Sequence, residues 1–198
     1  TRMAMFAMVG GIVLIVIILV VVTARIRDDI FADRRDVILT DARLRVATVQ
    51  AAFDTSGATT ADQVAAVAQA QISSVGQSFA GAGGVGVILK RSGTETTANV
   101  INDLTTDVKL MSLVSEDMIT ALADGAGEHR QYWESVSVDS GNGPSPGLIV
   151  GQRVSLPLAG DYDLFLVYTL APEQNVIDLA SRAVVIAGSG FLLMLILG

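Results

Sequence analysis

LIVGQRVSLPLAGDYDLFLVYTL, residues 148–170, is the stretch on which the fold turns. Its first half alternates Leu148, Val150, Gln152, Val154 and Leu156. Its second half puts Tyr162, Leu164, Leu166 and Tyr168 on one face and the apolar Phe165 and Val167 on the other. A period of two is the strand period, and the intervening turn at residues 157–161 predicts an antiparallel hairpin. Upstream, residues 132–138 form a third strand of the same kind, with Tyr132, Glu134, Val136 and Val138 on one face and Trp133 on the other. The Gly/Pro/Ser-rich residues 140–147 between them read as a surface loop.

Working outward, residues 85–90 make an earlier strand and residues 93–101 a weak one. Residues 115–123 read as a short helix with a capped start at Ser115. Residues 61–79 follow Thr59 and Thr60, either of which can cap a helix. Val64, Val67, Ala68, Ile72, Val75 and Phe79 then form its apolar stripe. Residues 25–53 contain no Gly or Pro and predict one long helix ended by Ser56-Gly57. Ile30, Val37, Leu44 and Ala51 recur there every seven residues, but the seam positions Arg34, Asp41 and Thr48 are polar. That suits a helix lying along a domain and touching a second copy better than an isolated coiled coil. Helices first and antiparallel strands late argue for an α+β domain rather than a wound parallel sheet. A long N-terminal helix, an antiparallel sheet and an exit helix beginning at Pro172-Glu173 is the layout of PAS-like or Cache-like extracytoplasmic sensor domains. This is an analogy of topology.

Two uncharged apolar runs bracket this domain, residues 3–23 and residues 183–198. The first reaches roughly 30 Å as a helix, the thickness of a bilayer core, and exceeds the apolar core of a signal peptide. The expected organisation is a transmembrane helix at 1–24, an extracytoplasmic sensor domain at 25–182 and a truncated second transmembrane helix at 183–198. Ala7 with Gly11, and Ala183 with Ala187, give the small-xxx-small spacing that lets helices pack closely in lipid. Arg25 and Arg27 at the first boundary, and Pro172 and Glu173 at the second, are the positions expected to carry a signal between domain and membrane.

The chain has a net charge of −7. All twenty acidic and twelve of the thirteen basic residues lie between the two runs, leaving that region near −8. Such a balance excludes nucleic acid, which needs a basic footprint. There is no cysteine and one histidine, His129, so disulfide, zinc-finger, iron–sulfur and cysteine-protease chemistry drop out. Residues 81–86, GAGGVG, match G-x-G-x-x-G but follow a helix and open a strand, the reverse of a dinucleotide site. His129 has no accompanying nucleophile and reads as a solvated loop residue. Asp103 with Asp107, and Asp161 with Asp163, lack the dense oxygen spacing of a calcium loop. No catalytic or metal residue is assigned. Arg130, Trp133, Arg153, Tyr162 and Tyr168 on the late strands are the candidates to line a ligand pocket, although core packing explains the aromatics equally well.

Residues 147–179, GLIVGQRVSLPLAGDYDLFLVYTLAPEQNVIDL, resemble the end of the extracytoplasmic domain of MtrB-type actinobacterial sensor histidine kinases. The matching elements are Val150-Gly151, the strand from Tyr162 to Tyr168, and Pro172-Glu173-Gln174 before the second span. The resemblance implies a role in sensing osmotic or cell-envelope state, in a protein continuing after Gly198 with a phosphorylated-His dimerisation helix and an ATP-binding domain. It also implies a homodimer in the cell membrane, the response regulator MtrA and the lipoprotein LpqB as partners. No cofactor belongs to this segment; ATP and Mg belong to the kinase part. A two-span envelope scaffold, or a receptor with a chemotaxis or cyclase output, fits the same residues.

Overall fold

The computed structural model describes the backbone of residues 2–80, 83–93, 100–124, 130–139 and 143–170. Within the first helix, side-chain surroundings are described at Val21, Arg25 and from Phe31 onward. The chain is α+β. Helix α1 is Arg2–Thr55 and α2 is Ala61–Ala80. Strands β1 (Gly84–Arg91) and β2 (Leu104–Thr105) precede a short 3-10 helix, Val108–Leu113, and α3, Glu116–Asp124. Strands β3 (Gln131–Asp139), β4 (Pro144–Leu156) and β5 (Gly160–Thr169) complete one five-stranded antiparallel sheet of order β2-β1-β5-β4-β3. Residues Val37–Pro172 form one compact unit, and the earlier part of α1 belongs to another.

The hairpin places β5 at the centre, which accounts for its double-sided apolar pattern: Tyr162 to Tyr168 are all buried. One face of the sheet carries Val87, Leu89, Val150, Leu164 and Leu166 and packs on α1 and α2. The other carries Ile88, Ile149, Phe165 and Val167 under Leu110 of the 3-10 helix and Met118 and Leu122 of α3. A sheet with both faces covered must be apolar on both, which is the logic of a buried central strand.

The helix ends are closed as the sequence predicts. Thr60 Oγ1 accepts from Gln63 N–H, while Gln63 Oε1 accepts from Thr59 N–H, a variant of the reciprocal capping box. Ser115 Oγ accepts from Met118 N–H and donates to Glu134 on β3 at 2.6 Å, tying the start of α3 to the sheet. Gly57, at φ +61°, takes the left-handed conformation that ends α1.

Two expectations are corrected and two readings gain detail. The face of α1 that enters the core is Ile38, Ala42, Val46, Val49 and Phe53, at spacings of three and four. The seven-residue stripe lies outside it: Val37 is 56% and Leu44 65% exposed. A helix packed on a sheet follows the 3.6 period, so a strict seven-residue count drifts off the buried face. Second, β4 begins at Pro144, inside the expected loop. The prolines are tolerated because they precede Gly147, the first β4 residue paired with β5; on that side Pro146 only accepts, its carbonyl taking the Leu170 N–H at 2.8 Å. Third, the strand beside β1 is Leu104–Thr105 rather than residues 93–101, of which 94–99 lie outside the described residues. Fourth, the exposed carboxylates of Asp103 and Asp107 also serve the backbone: Asp103 accepts from Arg91 N–H and Asp107 caps the 3-10 helix through Lys109 N–H.

Among the described residues, no helix is long and apolar enough to cross a membrane. The apolar run at 183–198 lies outside them. The run at 3–23 is helical within α1, but its side chains, including Ala7 and Gly11, are outside the description except at Val21.

Candidate functional site

A cleft of about 610 Å³ opens between the C-terminal half of α1 and the hairpin end of β4 and β5. Arg43, Ala47, Gln50 and Asp54 line its helix wall, at the three- and four-residue spacings that put them on one face. Gln152, Ser155 and Asp161 line the opposite wall.

The register explains why a cleft exists here. Strand β3 pairs with β4 only as far as Gln131 opposite Gln152, so β4 from Arg153 to Leu156 outruns its neighbour. An unpaired strand edge needs other partners for its peptide groups. The Gln50 amide supplies them: Gln50 Nε2 donates to the Ser155 carbonyl at 3.0 Å, and Ser155 N–H donates to Gln50 Oε1 at 2.9 Å. Gln50 Nε2 also donates to Asp54 Oδ1 at 2.8 Å. One side chain thus replaces a residue of the absent strand and fixes the distance between helix and sheet.

At the other end, Arg43 donates to Gln131 Oε1 at 3.3 Å. Gln131 and Gln152 are directly paired across the strands, so their side chains leave the sheet side by side on the α1 face. Each has one buried polar atom without a hydrogen-bond partner: Gln131 Nε2, a donor, and Gln152 Oε1, an acceptor. Gln152 is 6% exposed. An unmet buried amide group costs about 1–3 kcal/mol, so a pair of opposite character marks a place adapted to a third group. Arg43 lies at one end of the cleft and Asp54 and Asp161 at the other, where the cation Arg153 also borders it but is paired with Asp163.

The sequence-predicted residues do not converge. Tyr162 is a core residue whose hydroxyl accepts from Ile101 N–H and donates to Ile101 O, at 2.8 and 2.9 Å. Tyr168 is buried against Phe79, edge to face at 4.6 Å, and its hydroxyl donates to Asp41. Burial raises its pKa, the neighbouring Asp41 carboxylate adding to the effect. Trp133 stands exposed on β3, and Arg130 is exposed just before it. Arg153 alone of the five borders the cleft. It bridges Asp163 at 3.2 Å and donates to Ser92 Oγ. Burial raises the pKa of Asp163 despite that cation, desolvation outweighing the attraction. Arg25 is exposed on α1. The side chain of Arg27, and His129, Pro172, Glu173, Ala183 and Ala187, lie outside the described residues. Among the described residues no cluster of three or more His, Cys, Asp or Glu side chains could hold a metal ion.

Sequence reasoning missed Arg43, Gln50 and Gln131. Gln152 did carry a signal, being the one polar residue on the face Leu148, Val150, Val154, Leu156. Compared with known proteins, the chain matches no family model and no curated protein.

Proposed function

We propose that this chain is the membrane-anchored sensor part of a two-component receptor similar to the MtrB-type histidine kinases. Its PAS-like domain would lie outside the cytoplasm and respond to osmotic or cell-envelope state. The observation that carries the reading is α1: a single helix, Arg2–Thr55, holds the uncharged run at one end and the core-facing stripe Ile38 to Phe53 at the other. A change in how the sheet holds that stripe is a change in the helix, the requirement for coupling a bound state to a distant output. The resemblance at residues 147–179 falls on β4 and β5, the two strands that border the cleft and build the core. The exposed Val37 and Leu44, seven residues apart, suit a second copy packing along α1 in a homodimer. MtrA and LpqB are the partners, and ATP and Mg the cofactors, that the resemblance supplies for the whole receptor.

The test is phosphoryl transfer. Membranes carrying the full-length gene product should label on a histidine with ATP and Mg and pass the label to a response regulator. Gly-Gly inserted between Asp33 and Arg34 of α1 should leave labelling intact and abolish its regulation. A product that never labels overturns the kinase reading in favour of an envelope scaffold.

A further inference from the structure

We infer that the cleft beside α1 binds a short, unblocked peptide, with its C-terminal carboxylate at Arg43 and its amino group at the end formed by Asp54 and Asp161. The inference deepens the sensor reading and rests on it for its biological meaning, but the binding itself does not depend on any kinase output.

The recognition chemistry is that of an amide. Gln131 and Gln152 stand side by side on paired strands with one free donor and one free acceptor. That is what a peptide group requires: its C=O can accept from Gln131 Nε2 and its N–H can donate to Gln152 Oε1. A single ion or an apolar molecule satisfies at most one of the two, and a lone hydroxyl, which can meet both, brings neither of the terminal charges that Arg43 and the Asp54–Asp161 end would hold. Arg43, exposed and held to Gln131 by one 3.3 Å hydrogen bond, is the neighbouring cation and the side chain that swings to admit the ligand. Among the described residues it makes no ion pair with an acidic side chain, so its charge is available for a carboxylate, which it can bind bidentately.

Length follows from the helix. Arg43 and Asp54 are eleven residues apart on α1, about 16 Å between Cα atoms at 1.5 Å per residue. Their side chains shorten that gap, and an extended peptide covers about 3.3–3.6 Å per residue. Three or four residues span the remainder, and the 610 Å³ volume accommodates them. The apolar residues Val46, Ala47 and Ala51 on the helix wall suit small side chains such as those of alanine.

The experiment uses the 198-residue chain in detergent micelles, titrated calorimetrically with trialanine, N-acetyl-trialanine, trialanine amide and alanine. Trialanine should bind saturably, and blocking either terminus should weaken binding at least tenfold. Alanine should bind at least tenfold more weakly than trialanine. R43Q, at an exposed position, should weaken trialanine at least tenfold and erase the difference between acid and amide. Q152L should weaken every peptide by a similar factor while preserving the preference for a free carboxylate. Melting of the ligand-free variants checks that both fold. Equal binding of blocked and unblocked peptides, no saturable binding of trialanine, or unchanged binding in R43Q overturns the inference. Binding without phosphoryl transfer in the full-length product would sink the kinase reading and leave the peptide site standing.

Discussion

Tyr168, on the innermost strand, donates its hydroxyl to Asp41 of α1 at 3.0 Å, joining two residues 127 positions apart in the chain. Asp41 also receives Arg45 Nε at 2.7 Å, and the Arg45 guanidinium lies over the Phe79 ring at 5.0 Å. One carboxylate therefore gathers α1, the end of α2 and β5.

Tyr168→Phe removes one hydroxyl and leaves Asp41 its arginine. It should cost about 1 kcal/mol, read as a shifted urea midpoint with an unchanged slope. Asp41→Ala strands a buried phenol and frees Arg45, and should cost about 2–3 kcal/mol. In alkali the sign follows from the raised pKa of Tyr168. The folded state holds the proton more tightly than the unfolded state, so stability falls as pH rises above the ordinary tyrosine value near 10. Tyr168→Phe should flatten that fall.

The Arg153–Asp163 pair has a pH signature of the same sign, placed at the acid end of the scale. Asp163 is 2% exposed and its pKa is raised. Being an acid that the fold prefers protonated, it lowers stability above its folded pKa and ceases to do so below the ordinary aspartate value. Arg153→Met strips the compensating cation and leaves a buried carboxylate alone, at a cost of about 3–5 kcal/mol at neutral pH. That deficit should shrink as pH falls and Asp163 takes a proton. A pH-independent deficit in chemical denaturation would argue against this account.

Two glycines separate conformational need from space. At Gly147 a Cβ would collide with the Tyr168 carbonyl oxygen and the Val138 side chain, and backbone cannot yield as a flexible side chain can. Gly147→Ala should cost about 2–3 kcal/mol. At Gly57 nothing lies within 4 Å, and the φ of +61° is the only obstacle. Gly57→Ala should cost about 1 kcal/mol, and Gly57→Asn, which tolerates that conformation, distinctly less.

Leu158, in the β4–β5 turn, has φ +66° and is half exposed. A β-carbon in the left-handed region costs about 1–2 kcal/mol, and glycine's greater freedom when unfolded returns part of it. Leu158→Gly should raise stability by about 0.5–1 kcal/mol, visible as a melting point higher by a few degrees. No gain would mean that the Leu158 side chain packs more usefully than its exposure suggests.

The sheet was legible because its central strands carry unbroken patterns. The double-sided apolarity of Tyr162 to Tyr168, and the caps at Thr60 and Ser115, are local signals that survive packing. Two kinds of information were not local. The buried face of α1 depends on where the sheet lies, and residues such as Val37 and Leu44 mimic a core stripe while facing outward. The cleft depends on how far β3 extends along β4, which sets Gln131 opposite Gln152 and exposes Ser155 to Gln50. Nothing in the letters around Gln50 or Arg43 announces a register set about a hundred residues later. The tyrosines drew attention as ligand contacts because they are large and polar-tipped, yet their hydroxyls are taken by Ile101 and Asp41.

Strand order also sets a timetable. Strand β5 is the last strand along the described chain, but it sits third of five, between β1 and β4. On a ribosome, β1 and β2 can pair early, and β3 and β4 can form their own ribbon, but each half keeps an open edge until Gly160–Thr169 emerges. Open edges invite pairing with other chains. A nascent chain stalled before Gly160 is thus two sticky ribbons with no seam between them. Ten of the residues that decide the fold on paper are also the ones that close it in synthesis.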